Sequence, residues 1–361
     1  MIKVSLCMIV KNEEKVLERC LKCIERIADE IIIVDTGSTD KTKDIARKYT
    51  KKLYDFKWVD DFAKARNYAF SKATKEYIMW LDADDIILEE DIVKIINLKK
   101  QISEDVDMIM MKYNTSFDEN GNPTFSYNRE RIFKKDKGYK WEGRIHEVIV
   151  PSGRIVYSDA AICHKKVSPG DPKRNLNIFN KMIDEKHVFS PREQYYYARE
   201  LYYNGEYIKS IKEFRLFLDS NKGWKENNIE ACLNIANCYK SLKNKDKILM
   251  ALLESFKYDA PRAEICVEIG NCFFDLEEYQ KAIYWYKAAT ECKLNDISGG
   301  FIFLDSYKYT PYIQLCVCYY KIGDIKQSIY YNEKAGKEKP NGKEYLFNKK
   351  YFQKVYDEVT L

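Results

Sequence analysis

Nowhere does the chain carry an apolar run approaching the ~18 residues that a membrane span requires, and its 361 residues include only 14 Gly and 8 Pro. The first absence predicts a protein with no membrane span. The second, beside 45% hydrophobic and 32% charged residues, excludes a disordered or low-complexity chain. The start, MIKVSLCMIVKNEEK, has one Lys, then an apolar stretch from Val4 to Val10 broken by Ser5, then charges, with no small-residue cleavage site. It reads as a first strand rather than a signal peptide, and the expected location is cytoplasmic. The 11 Cys lack the dense spacing of a disulfide framework and read as reduced, mostly buried thiols. Neither G-x-G-x-x-G nor G-x-x-x-x-G-K-[ST] occurs, so a dinucleotide fold and an ATP P-loop lose their main support. Net charge is +5, with 61 basic and 56 acidic residues interspersed along the chain. That balance argues against a nucleic-acid footprint.

What is present falls into two halves. From residue 1 to about 115, strand-like runs alternate with helical periods. KVSLCMIV is followed by a helical face of Val16, Leu17, Cys20, Leu21, Ile24 and Ile27; then come EIIIVDTG, a short helix with Ile45, Ala46 and Tyr49 inward, a helix from Phe62 to Ala73, YIMWLDAD, a helix over 89–101 and a strand over 107–113. This alternation predicts a mostly parallel sheet covered on both faces. Between 114 and 166, turns at Asn120-Gly121, Lys137-Gly138 and Ser152-Gly153 separate FSYNRERIF, IHEVIV and RIVYS, which predicts an antiparallel extension of the sheet. VSPGDPKRN supplies two Pro and a Gly, so 167–190 reads as a linker.

Beyond about 190 the chain is helical and repeats. Cys238 and Cys272 lie 34 positions apart, with Glu200 equivalent 38 earlier and Cys318 equivalent 46 later, after an insertion following Lys293. A 34-residue period of paired helices resembles the tetratricopeptide repeat, with Gly270, Tyr279, Ala282 and Tyr286 at its small and aromatic packing positions. Four such units over 191–340, with a helical tail over 341–361, predict an all-α solenoid. Its Cys fall at core spacings, and packing is favoured over zinc. The first unit crowds Tyr195, Tyr196, Tyr197, Tyr202, Tyr203 and Tyr207. A concave face with spare Tyr suits an extended peptide or a second copy of the chain, making a homodimer through the repeats the other expected partnership.

In the first half, carboxylates collect at strand ends, where a doubly wound sheet binds ligands. Lys11, Asn12 and Glu13 follow the first strand, Asp35-Thr36-Gly37-Ser38 the second, and Asp82-Ala83-Asp84-Asp85 the strand after Arg66. Such clusters can hold a nucleotide diphosphate. An Asp accepts the N3 hydrogen of uracil, Arg66 offers a fork of donors, and Asp82 and Asp84 bind ribose hydroxyls and a hard divalent cation. Taken alone, each has a plainer reading: Asp35 a turn, Arg66 an exposed helix residue, Asp85 the cap of helix 89–101.

Four ordered blocks, VSLCMIVKNEE, IIIVDTGSTDKT, DFAKARNYAF and WLDADD, resemble the nucleotide-sugar half of a glycosyltransferase family 2 enzyme with the GT-A fold, over roughly residues 1–166. That family is typically inverting, metal-dependent and supplied by a UDP-sugar or another nucleotide sugar. The resemblance assigns Ile9, Lys11, Asn12, Glu13, Asp35, Arg66 and Asp82 to the donor, and Asp84, Asp82 and His164 to Mn²⁺ or Mg²⁺. RIFKKDKGYKWEGRIHEVI and AICHKK are similar to a branch in which tetratricopeptide repeats follow the catalytic domain. Its members include enzymes that glycosylate bacteriocin peptides on Cys or Ser, and the same architecture serves surface-polysaccharide and flagellar modification. The common Glu-Asp pair of the family is replaced here by His146-Glu147, read as strand-borne.

Inverting transfer needs a base on the acceptor and an electrophile on the departing diphosphate. Glu147 is the expected base with His146 orienting it; His146 itself is the alternative. The favoured acceptor is a Ser, Thr or Cys side chain of a peptide gripped by the repeats. A polysaccharide, lipid-linked or flagellar acceptor stands beside it, as does a nucleotide-sugar-binding protein without catalysis. A nucleotidyltransferase would want a Gly-rich, basic triphosphate loop after the first strand, and KNEEKVLER offers none.

Overall fold

A computed structural model describes residues 1–167, 170–294 and 300–359. Residues Met1–Ser116 and Ser126–Val188 form one unit, and Phe117–Phe125 with Phe189–Leu361 a second.

The first unit alternates as its sequence does: β1 (Val4–Val10), α1 (Leu17–Ile24), β2 (Glu30–Asp35), α2 (Thr42–Tyr49), β3 (Leu53–Asp55), α3 (Phe62–Ser71), β4 (Tyr77–Trp80), β5 (Asp85–Ile86), α4 (Glu89–Gln101), β6 (Met108–Phe117), β7 (Pro123–Lys134), β8 (Ile155–His164) and α5 (Arg174–Asp184). In β1 every residue is buried except Ile9, which is half-buried, as expected of a strand covered on both faces. Val4, Leu6, Met8 and Val10 pack with Leu17, Leu21 and Ile24 of α1 and Ile92 and Ile95 of α4. The alternate residue Cys7 turns to Ala69 and Phe70 of α3, with Trp80, Phe133 and Trp141.

The sheet order is β3-β2-β1-β4-β7-β6-β8-β5. Strands β3, β2, β1 and β4 are parallel neighbours. The chain leaves β1 toward β2 and β3, then returns to its other side as β4. This reversal opens a crevice at the C-terminal ends of β1 and β4, where such folds place ligands. The extension is mixed: β7 runs antiparallel to β4, β8 parallel to β6 and antiparallel to β5.

Three expectations need correction. IHEVIV forms no strand: only an isolated bridge joins Glu142 and Val148. Gly143 and His146 take positive φ of 93° and 50° and turn the chain out of extended geometry. The expected linker contains α5, which buries Leu176, Ile178, Phe179 and Met182 and is tied down by Lys181–Asp60 at 2.7 Å and Arg144–Glu185 at 2.6 Å; Ser168 and Pro169 of that stretch lie outside the described residues. Asp85 does not cap α4, whose N-cap is Leu88. It begins β5 instead.

In the second unit helices pair in succession: α6 (Pro191–Tyr203) with α7 (Tyr207–Asp219), α8 (Lys225–Ser241) with α9 (Lys245–Glu254), α10 (Ala263–Phe274) with α11 (Tyr279–Glu291), and α12 (Tyr309–Lys321) with α13 (Ile325–Glu338), followed by α14 (Lys343–Val359). Ser190 and Glu193 close a capping box at the start of α6, which satisfies two otherwise orphaned backbone donors. Gly270 is small because a Cβ there would meet the Tyr286 ring at 2.5 Å. Tyr286 in turn donates to Asn271 Oδ1 at 2.8 Å. Cys232, Cys238, Cys266, Cys316 and Cys318 are free and buried, as packing residues should be. Residues 295–299, within the expected insertion, lie outside the described residues. No helix among the described residues is long and apolar enough to cross a membrane.

Candidate active site

Strand β4 ends on Trp80, and the chain then turns tightly through Asp82-Ala83-Asp84-Asp85. Asp85 N–H donates to Asp82 O at 3.1 Å, and Asp82 N–H donates to Asp85 Oδ2 at 3.0 Å. The turn thus separates three neighbouring carboxylates into different environments.

Asp82 faces Arg66. In α3 the small residues Ala63, Ala65 and Ala69 are buried with Arg66 against the sheet. Arg66 Nη2 donates to Asp82 Oδ1 at 2.7 Å and Nε to Glu147 Oε1 at 2.6 Å. Its guanidinium stands 4.9 Å from the Trp80 ring centre and 4.8 Å from that of Trp141. Burial opposes charge on Asp82, but Arg66 outweighs it and holds the carboxyl at about 2. Glu147 Oε2 has no hydrogen-bond partner among the described residues. His146 sits beside it in a left-handed turn, not on a strand.

Asp84 and Asp85 face His164 at the end of β8. His164 Nδ1 lies 3.2 Å from Asp84 Oδ1, 3.2 Å from Asp85 Oδ1 and 2.9 Å from Tyr113 Oη. Burial disfavours the imidazolium, yet the hydrogen bonds to Asp84 and Asp85 prevail and push His164 up to about 10. Asp85 is fully buried against Arg131, itself fully buried.

Glu13, at the end of β1, is half-buried. Burial first, then Asp84, Asp82 and Asp40, push its carboxyl up to about 7. Asp35, at the end of β2, is buried. Its Oδ2 accepts from Gly37 N–H at 3.0 Å and Ser38 N–H at 2.9 Å, while Oδ1 is buried without a partner. Asn12 takes φ 56°; its Oδ1 accepts from Thr39 N–H at 2.8 Å and its N–H donates to Ser38 Oγ at 2.9 Å, tying the ends of β1 and β2 together. Lys11 is exposed, and Ile9 pairs with Val34.

The structure therefore brings together Arg66, Asp82 and Glu147 in one group, and Asp84 and His164 in another. Asp82, expected to share a cation with Asp84 and His164, gives its Oδ1 to Arg66. Ligand atoms of Asp84, Asp85 and His164 lie within 4.8 Å of one another. Carboxylate oxygens with one imidazole suit Mn²⁺ or Mg²⁺. The donor set fits.

From sequence Asp85 had only the role of a helix cap, and nothing pointed to Arg131, Tyr113, Trp80 or Trp141 as site residues. The signal for Arg131 was present in NRERIF: two guanidiniums at alternate positions of an otherwise buried strand. Arg129 and Arg131 lie 5.0 and 3.8 Å from the Trp80 ring centre, so Trp80 has two further guanidiniums beside its ring in addition to that of Arg66.

The profile of the family described as Glycosyl transferase family 2 matches residues 5–163. A TPR repeat-containing protein of Synechococcus elongatus is 47% identical over 90 residues, 25% of this chain and 22% of that protein. The SPbeta prophage-derived glycosyltransferase SunS of Bacillus subtilis is 28% identical over 240 residues, 59% of this chain and 54% of the relative. The chain spans about half or less of the length of these relatives. Among solved structures, glucosyl-3-phosphoglycerate synthase from Mycobacterium tuberculosis covers 31% of this chain and 44% of its own at 18% identity, TM-score 0.27. The TPR protein YrrB covers 50% and 84% at 14% identity, TM-score 0.38. Overlaps this loose carry no argument about the site. Residues 5–163 are a glycosyltransferase family 2 domain, and the chain joins it to tetratricopeptide-type helix pairs.

Proposed function

We propose that the chain is an inverting, metal-dependent glycosyltransferase that moves a sugar from a nucleotide sugar, a UDP-sugar being favoured, to a peptide or protein side chain. The observation that carries this reading is the buried, unpartnered Oδ1 of Asp35, two strands across the sheet from the acidic turn at Asp82 and Asp84. A buried acceptor without a donor asks for a ligand N–H, and a nucleobase supplies one.

Each residue then has a task. Asp35 accepts from the base, and Asn12, by joining the ends of β1 and β2, keeps that pocket in shape. Asp82, fixed by Arg66, presents its carboxylate to ribose hydroxyls. Asp84 and His164, with Asp82 alongside, would hold Mn²⁺ or Mg²⁺, which would supply charge neutralisation to the leaving diphosphate. Arg66 places a guanidinium beside the same anion and, through Glu147 Oε1, leaves Oε2 to take the acceptor's proton. As that proton moves, the acceptor oxygen or sulfur bonds to the anomeric carbon and the bond from carbon to diphosphate oxygen breaks. A thiol acceptor asks less of Glu147 than a hydroxyl does, because its own pKa is nearer neutrality. Helix pairs of this type offer extended surfaces for peptides, and the resemblance to enzymes acting on bacteriocin peptides supports Ser, Thr or Cys as acceptor.

The test is incubation of the full chain with Mn²⁺, candidate peptides and UDP-, GDP- and dTDP-sugars, followed by intact-mass analysis. A peptide should gain the mass of one sugar, and not when EDTA replaces Mn²⁺. Absence of any consumed donor across the panel would sink the reading.

A further inference from the structure

Asp85 is the carboxylate of the acidic turn that faces away from solvent. Its side chain is 0% exposed, against 18% for Asp84 and 27% for His164. A carboxylate has about four acceptor sites, and four donors surround this one. Tyr113 Oη donates to Oδ1 at 2.8 Å and His164 Nδ1 lies 3.2 Å from it; Asp82 N–H donates to Oδ2 at 3.0 Å and Arg131 Nη1 at 3.3 Å. Its charge is also already matched, because the fully buried Arg131 guanidinium, 3.8 Å from the Trp80 ring centre and 4.2 Å from that of Tyr113, has Asp85 as its ion-pair partner. The backbone fixes the same relationship: Asp85 and His164 are cross-strand partners in β5 and β8.

We infer that Asp85, though within ligand distance of Asp84 and His164, is a positioning residue: it anchors His164 through Nδ1, with Tyr113 and Arg131 holding Asp85 in turn, and it is not itself a ligand. This rests on the proposed cation site. A metal-binding imidazole is usually oriented by a carboxylate on its other ring nitrogen. Here Nε2 has no hydrogen-bond partner among the described residues, and Nδ1 is enclosed by the oxygens of Asp84, Asp85 and Tyr113. Asp84, more exposed and without a cationic side chain bonded to it other than His164, is left as the carboxylate for the ion.

The test is a double-mutant cycle on the full chain, read as Mn²⁺ affinity by electron paramagnetic resonance titration without any donor. Asp85→Asn should weaken binding about 10- to 100-fold. In a His164→Ala background the same substitution should change affinity by less than about twofold, because its route to the ion is gone. Should Asp85→Asn not fold, Tyr113→Phe, which leaves the Asp85–Arg131 pair intact, should show a smaller loss with the same dependence on His164. Unchanged affinity on altering Asp85 or Tyr113, or an equal loss with and without His164, overturns the inference while leaving the cation site standing. No Mn²⁺ binding by the unaltered chain overturns both.

Discussion

The guanidinium of Arg66 donates to the carboxylate of Glu147 at 2.6 Å across 81 positions of sequence, and its second arm reaches Asp82 at 2.7 Å. One planar fork therefore fixes the expected acceptor-side base relative to the expected donor-side carboxylate. Lys cannot make both bonds at once, since it presents a point charge rather than a fork. Arg66→Lys should keep the fold and lower sugar transfer on the order of a hundredfold, the scale expected for misplacing reacting groups by about 1 Å. Steady-state kinetics with a saturating donor check this.

His164 gives a pH dependence with a definite sign. Its folded-state pKa, about 10, stands above the unfolded value near 6.5. The stabilisation it contributes is therefore fully present below about 6.5 and is lost as pH rises through 10. Melting temperatures of the metal-free chain and of His164→Ala should differ most at pH 6 and converge by pH 10. A gap that widens with pH would contradict the assignment.

Glu13 acts in the opposite sense. With its carboxyl raised to about 7 by burial and by Asp84, Asp82 and Asp40, ionisation costs stability as pH climbs from about 4.5 to 7. Glu13→Gln should raise the metal-free melting temperature at pH 8 by a few degrees, at roughly 2–4 °C per kcal/mol for a domain of this size, and leave it nearly unchanged at pH 4.5. Added Mn²⁺ should erase the difference at pH 8. Differential scanning calorimetry at the two pH values decides it.

The two units should respond separately to a substitution in the repeats. At Gly270 a Cβ would lie 2.5 Å from the Tyr286 ring, and overpacking of that kind costs roughly 1–3 kcal/mol. Gly270→Val should destabilise the helix pairs, seen as an earlier loss of helical ellipticity, while metal-dependent donor hydrolysis persists. Equal loss of both would mean that the catalytic chemistry depends on the repeats.

The places of the expected donor residues were legible because a parallel α/β sheet puts ligand-binding residues at the ends of successive strands. Asp35, Asp82 and Asp84 could be found by locating those ends, and Arg66 by its place among the small Ala63, Ala65 and Ala69 of a helix. The support beneath them was not legible. Asp85 looks like a helix cap beside Glu89 and Glu90, and only the insertion of β7 and β6 between β4 and β8 brings Arg131, Tyr113 and His164 to it from 46, 28 and 79 positions away. IHEVIV has strand-like alternation, but Gly143 and His146 at positive φ override it, which makes a loop that carries Glu147 to Arg66. Gly170 and Pro172, just before α5, are linker signals, whereas the apolar face of Leu176, Phe179 and Met182 makes the helix.

The proposed ligand of this crevice is a nucleotide sugar together with a divalent cation. It is tested most directly by thermal shift of the full chain with UDP-, GDP- and dTDP-sugars, with and without Mn²⁺, beside Asp84→Asn. At least one nucleotide sugar should raise the melting temperature only when Mn²⁺ is present, since a ligand that binds the folded state stabilises it by mass action, and Asp84→Asn should lose the shift while melting normally on its own. Failure of every nucleotide sugar to stabilise the chain, or a shift that survives both EDTA and Asp84→Asn, would contradict the account.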